Sequence, residues 1–164
     1  MLITKTSIRL ALLIGLSACS EKETVLNQRE TWLSTGGWQM TNYTYHTRAA
    51  AGGTPIQFEF ITGRACEADD LYRFEATNKL QWDKNGTLCP TSQPPLTEWG
   101  TWQLLNSDTK LAIDHQGTVQ FPYTGSVADP LDIVELTSET MVLRTADIQA
   151  GDSVVAYTYR FIKP

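Results

Sequence analysis

Three carboxylates fall within four residues at Glu67, Asp69 and Asp70, a grouping hard cations such as calcium use because they take several oxygen ligands. A capped, solvated turn is the competing reading. Asp83, Asn85 and Gly86 have the start of a calcium loop, but the later ligands and closing Glu are missing at the required spacing, so a turn is expected there instead. The two histidines, His46 and His115, sit in no recognised motif, and a nucleophile without an adjacent base is inert. No Gly-rich loop opens a helix after a strand, and no His pair has zinc spacing. The expectation is a protein that is not an enzyme, with no catalytic residue, no metal and no cofactor. Binding chemistry is better represented. Tyr43, Tyr72, Phe74, Trp82, Trp99 and Trp102 supply rings of the kind that wall apolar ligand pockets. In a regular strand, Trp99 and Trp102, three positions apart, point to opposite faces, so at most one is expected to face an interior. The expected ligand-binding set is Tyr43, Tyr72, Phe74, Trp82 and Trp102.

The elements that position these rings read as strands. After Gly36-Gly37, residues Trp38 to Tyr45 alternate with a period of two and are rich in aromatic and β-branched types. Further strands are expected at Gln57–Ile61, Leu71–Ala76, Lys79–Asp83, Glu98–Leu105, Lys110–Asp114, Val119–Tyr123, Leu131–Leu136, Met141–Thr145 and Val154–Ile162. Hairpin turns are expected at Asp83–Gly86 and Asp114–Gly117, a flexible loop over His46–Pro55, and a helical turn over Ala65–Asp70. Leu88–Leu96 carries three prolines and must be irregular, because proline cannot donate to a ladder. Leu26, Trp32 and Leu33 suit one helical turn against the domain. Consecutive short antiparallel strands leave exposed edges unless the sheet closes, which favours an all-β, up-and-down barrel of about 8–10 strands over a β-sandwich. About eight strands enclose room for side chains or one small ligand.

The start of the chain has a different character. Lys5 and Arg9 precede an apolar run from Leu10 to Leu16, which is too short to span a bilayer and has the make-up of a secretory signal. Leu16-Ser17-Ala18-Cys19 resembles the lipobox of bacterial lipoproteins, and that resemblance implies that Cys19 is acylated, with chains such as palmitate, and becomes the first residue. The expected organisation is a lipoprotein signal peptide at 1–18, a lipidated Cys and tether at 19–33, and the barrel at 34–164. Stable anchoring takes more than one acyl chain, which a diacyl or triacyl group provides. The chain carries 18 acidic and 13 basic residues, and loss of the basic leader makes it more acidic still. Such a balance argues against nucleic acid and against electrostatic docking on anionic lipid, so the membrane partner is reached through the lipid. With Cys19 so assigned, Cys66 and Cys89 remain as an even pair in an oxidising compartment and are expected to form a disulfide, contributing about 3 kcal/mol in the chain-entropy model. A metal site lacks further ligands nearby.

Gly36-Gly37-Trp38 fits the Gly-x-Trp that opens the first strand of lipocalins. The ordered set Cys66–Phe74, Asn85–Cys89, Gly100-Thr101-Trp102, Ile133–Thr137 and Met141–Leu143 resembles the lipocalin-like lipoproteins common in Bacteroidota. The resemblance covers roughly residues 34–162. It implies a small calyx barrel on a lipid anchor, with Arg160 lying across Trp38 to close the barrel, and it brings no activity. The chain departs from the pattern in its Ala-Gly loop after the first strand and in its proline-rich segment. The implied role is a lipid-anchored envelope protein binding a small apolar or amphipathic ligand. The alternative is a structural or protein-interaction lipoprotein with an envelope protein as partner. Ser20 after the Cys resembles an outer-membrane sorting signal, and Ser20-Glu21-Lys22-Glu23 matches a surface-export signal in part, so the periplasm-facing and cell-surface orientations both stay open.

Overall fold

Asn27 caps the first helix among the described residues. In the computed structural model, which describes residues 27–61, 65–87, 94–115 and 130–164, its side-chain oxygen accepts from the Glu30 N–H while the Glu30 carboxylate accepts from the Asn27 N–H. This reciprocal box satisfies two of the donors that a helix start leaves open. The helix α1 (Gln28–Ser34) buries Leu33 completely. It therefore packs into the core of the barrel.

Ten strands follow: β1 (Trp38–Ala49), β2 (Ile56–Ile61), β3 (Leu71–Phe74), β4 (Lys79–Asp83), β5 (Leu96–Leu105), β6 (Lys110–His115), β7 (Leu131–Leu136), β8 (Thr140–Arg144), β9 (Ile148–Ala150) and β10 (Ser153–Ile162). The sheet runs β2-β1-β3-β4-β5-β6-β7-β8-β10-β9, and β10 pairs back onto β1. Eight antiparallel strands thus close into a barrel, as the strand count and the edge argument led one to expect. The expected strand Val119–Tyr123 lies outside the described residues, as do Cys19 and Cys89. Among the described residues no helix is long and apolar enough to cross a membrane.

Two expectations from simple alternation fail, and both fail at β-bulges. In β1, Met40 faces Phe161 and Asn42 faces Arg160, so Thr41 is an extra residue. The bulge shifts the period by one. Tyr43 and Tyr45 consequently share the inner face with Trp38 and Met40, whereas strict alternation put them opposite. In β5, Gly100 faces Leu80 and Glu98 faces Gln81, leaving Trp99 as the extra residue. Trp99 and Trp102 are therefore both buried in the interior. The strand β1 also runs through Ala49, which places His46 in a ladder and not in a loop. Asn85 and Gly86 turn with positive φ as their types suggest. The result is no tight hairpin, since the chain rejoins β5 only at Leu96. Sequence reading missed the turn between β5 and β6, where Asn106, Ser107 and Asp108 all have positive φ and the Asp108 carboxylate accepts from the Asn27 side chain, tying turn to helix.

Candidate functional site

One end of the barrel is shut. Trp38 is fully buried, and its indole N–H donates to the Leu33 carbonyl at 2.9 Å, seating α1 across the floor. The cation over its ring is Lys163, whose Nζ lies 4.6 Å from the ring centre and donates to the Trp32 carbonyl at 2.7 Å. Burial pulls the Lys163 pKa below its ordinary value. Arg160, expected in that role, is exposed on the outside of β10, where it lines a groove with Asn42, Thr44, Gln57, Glu59 and Thr158. The β10 register explains this: Tyr159 and Phe161 point inward, so Arg160 between them must point out. Replacing Lys163 with Met should cost about 1 kcal/mol, read by urea denaturation, whereas Arg160→Met should leave the midpoint unchanged.

The core above this floor is aromatic. Tyr72 packs edge-on to Phe161 at 5.7 Å and against Trp99 at 5.5 Å, and Phe74 packs edge-on to Trp102 at 5.9 Å. The Trp102 indole donates to the Glu75 carbonyl. Three of the rings nominated from sequence, Tyr72, Phe74 and Trp102, are thus buried in the core of the barrel. Trp82 packs at a tilt of 31° against Trp99, their ring centres 5.6 Å apart, with the Lys84 ammonium 3.1 Å from the centre of the Trp82 ring. Lys84 in turn meets Asp70 at 3.2 Å, and each side chain is only 3% exposed. Burial raises the Asp70 pKa, and the Lys84 hydrogen bond and charge pull it part of the way back. Asp69 accepts from the Thr87 N–H. Two of the expected acidic cluster are therefore engaged in fastening β3 to the end of β4. Among the described residues, no group of three or more His, Cys, Asp or Glu converges as metal ligands. Cys66 lies in a short 3-10 turn, Ala65–Glu67, and is disulfide-bonded.

The other end flares. Strands β1 and β10 pair from Gln39–Ile162 up to Ala49–Ser153, much taller than the rest. The neighbour of β1 is β3 only at Trp38 and Gln39, and β2 replaces it from Asn42 to Thr47. On the other side β8 flanks β10 over Thr158–Ile162, and β9 takes over at Ser153–Val155. A four-stranded flap, β2-β1-β10-β9, therefore stands above the closed belt. Its inner face carries aligned rings. Phe60, Tyr43 and Tyr159 form one row, with Tyr43 stacked on Phe60 at 5.0 Å and 15°. Phe58, Tyr45 and Tyr157 form the next, at 6.2 and 5.2 Å. Ile56, Thr47, Val155 and Ile148 continue it by register. Tyr159 at the base is fully buried, while Phe60, Phe58 and Ile56 are 43%, 48% and 58% exposed. Burial and the neighbouring phenols of Tyr45 and Tyr43 raise the pKa of Tyr157, so its hydroxyl stays neutral beside the rings. Of the residues nominated from sequence, only Tyr43 belongs to this surface. Tyr45, Phe58, Phe60 and Tyr157 were missed, although their i, i+2 spacing with Tyr43 and Tyr159 was a readable signal.

On the outer face of the flap, His46 Nε2 lies 3.0 Å from the Thr158 hydroxyl. Burial and the Arg144 charge lower its pKa and keep the ring neutral. Arg48 and Arg144 share the Asp147 carboxylate, which they hold below the ordinary range.

The lipocalin-like domain family model matches residues 35–143, well over half of the chain and from the Gly-x-Trp floor to β8. No curated protein and no solved structure gives a match. The floor tryptophan, the closed eight-stranded belt and this match agree: the chain belongs to the lipocalin-like domain family.

Proposed function

We propose that this protein is a lipid-anchored binding protein of the bacterial cell envelope that takes a small amphipathic molecule against the aromatic inner face of its flap. The observation that supports it is the graded row of rings, fully buried at Tyr159 and about half exposed at Phe58 and Phe60. Exposed aromatics in register on one face are costly to leave in water and mark a binding surface. An apolar body stacks on Phe58, Phe60 and Tyr45, and the hydroxyls of Tyr43, Tyr45 and Tyr157 offer donors and acceptors to a polar head. The anchor rests on the lipobox-like Leu16–Cys19, the outer-membrane address on Ser20, and a Cys66–Cys89 bridge on the oxidising compartment that export implies.

A titration with N-phenyl-1-naphthylamine tests this reading. Saturable fluorescence enhancement is expected for the unsubstituted protein. The double variant Tyr45→Ser, Phe58→Ser should bind at least about tenfold more weakly, the equivalent of ~1.4 kcal/mol, while Trp82→Phe should bind as before. Equal affinity in the double variant would remove the flap face from the account.

A further inference from the structure

Among the described residues, two strands of the flap have one neighbour each, the six-residue β2 and the three-residue β9. Beyond β2 no strand lies among the described residues, and the outer edge of Ile56–Ile61 has no ladder partner among them. β2 has no proline, no lysine and no bulge in its register with β1, and Glu59 is its one charged residue. Its inner row is Ile56, Phe58 and Phe60, all exposed, and its outer row holds Gln57 and Glu59.

We propose that this edge pairs with the β2 edge of a second copy of the chain, antiparallel and centred on Phe58. A two-fold axis normal to the sheet keeps inner face beside inner face, so the pairing must be centred on a residue and not between two. Centring on Phe58 sets it opposite its counterpart, Ile56 opposite Phe60, and Gln57 opposite Glu59. The apolar row then meets an apolar row, and the Gln57 amide donates to the Glu59 carboxylate of the other copy. Glu59 can accept it, since its other contact is a single bond from the Asn42 side chain. Centring on Glu59 would set two carboxylates directly against each other. Centring on Gln57 would set Phe60 opposite Thr54, outside the strand, and Pro55, which has no N–H, opposite Glu59, whereas centring on Phe58 leaves Pro55 only at the end of the ladder. The pairing joins two four-stranded flaps into one continuous sheet and leaves the ring faces open. A single strand edge is a small interface, so association in the micromolar range is expected.

Sedimentation equilibrium of the full chain in detergent, from micromolar to near-millimolar concentration, should show a monomer–dimer equilibrium. Phe58→Lys places two ammonium groups opposite each other and should weaken the dimer at least tenfold, with the circular dichroism spectrum unchanged. Under mild oxidation Phe58→Cys should form a covalent dimer above the background of the unsubstituted protein, and Glu59→Cys should not. A monomer at every concentration, a dimer indifferent to Phe58→Lys, or cross-linking through Glu59→Cys in place of Phe58→Cys would each overturn the proposal.

Discussion

Replacing Lys84 with Met should destabilise the protein by about 3–5 kcal/mol at neutral pH, the range for removing one partner of a buried ion pair. Both side chains of the Asp70–Lys84 pair are almost wholly sequestered, and Lys84 also covers the Trp82 ring. Without the ammonium, a desolvated carboxylate remains with its principal counter-charge gone. The pH dependence identifies this cause. Burial already raises the Asp70 pKa above its unfolded value, so this group's stabilising share is present below the unfolded pKa and is lost as pH rises through the folded one. Loss of Lys84 raises the folded pKa further and widens that window. The deficit of Lys84→Met should therefore be largest near pH 7 and shrink towards pH 4, measured by chemical denaturation across that range. The double variant Asp70→Leu, Lys84→Met should recover much of the loss, because no unpaired charge stays behind. A small, pH-independent effect of Lys84→Met would show that the pair is solvated.

The second large effect is expected at the floor. Trp38→Ala should cost about 3–5 kcal/mol, as for other large aromatic truncations in a core. Its ring is fully buried, its N–H satisfies the Leu33 carbonyl, and its face holds Lys163. Removing it opens a void and unfastens α1 together. Trp38→Phe keeps part of the volume but leaves the Leu33 carbonyl without its donor, and should cost about 1–3 kcal/mol. Hydrogen exchange should show the amides of Thr31 and Thr35, which donate within α1, losing protection in Trp38→Ala. If α1 stays protected, the helix is held by contacts other than this indole.

Strand existence was legible from composition and period, and closure followed from the cost of open edges. What could not be read was which face each ring takes beyond a bulge. Nothing in the types of Thr41 or Trp99 announces an extra residue, because bulge position depends on how the partner strand is registered. One unpaired residue moved Tyr43 and Tyr45 to the inner face, and another put Trp99 and Trp102 on the same one. Of the five rings of the candidate site only Tyr43 was nominated, while Tyr72, Phe74 and Trp102 lie buried in the core. The floor cation shows the same limit. Arg160 and Lys163 are three residues apart at the end of β10, and only the inward placement of Tyr159 and Phe161 decides between them. The acidic turn was ambiguous for a further reason, since a carboxylate triplet looks alike whether it awaits a cation or pairs with a lysine 14 residues away.

The central claim is that ligand meets the flap and not the packed barrel. It is tested most directly by following the aromatic side-chain NMR signals of the folded protein during addition of N-phenyl-1-naphthylamine. The account predicts shifts concentrated on Tyr43, Tyr45, Tyr157, Phe58 and Phe60, with Phe74 and Trp102 unmoved. Shifts centred on Phe74 and Trp102, or saturable binding that leaves the five flap rings unperturbed, would contradict it.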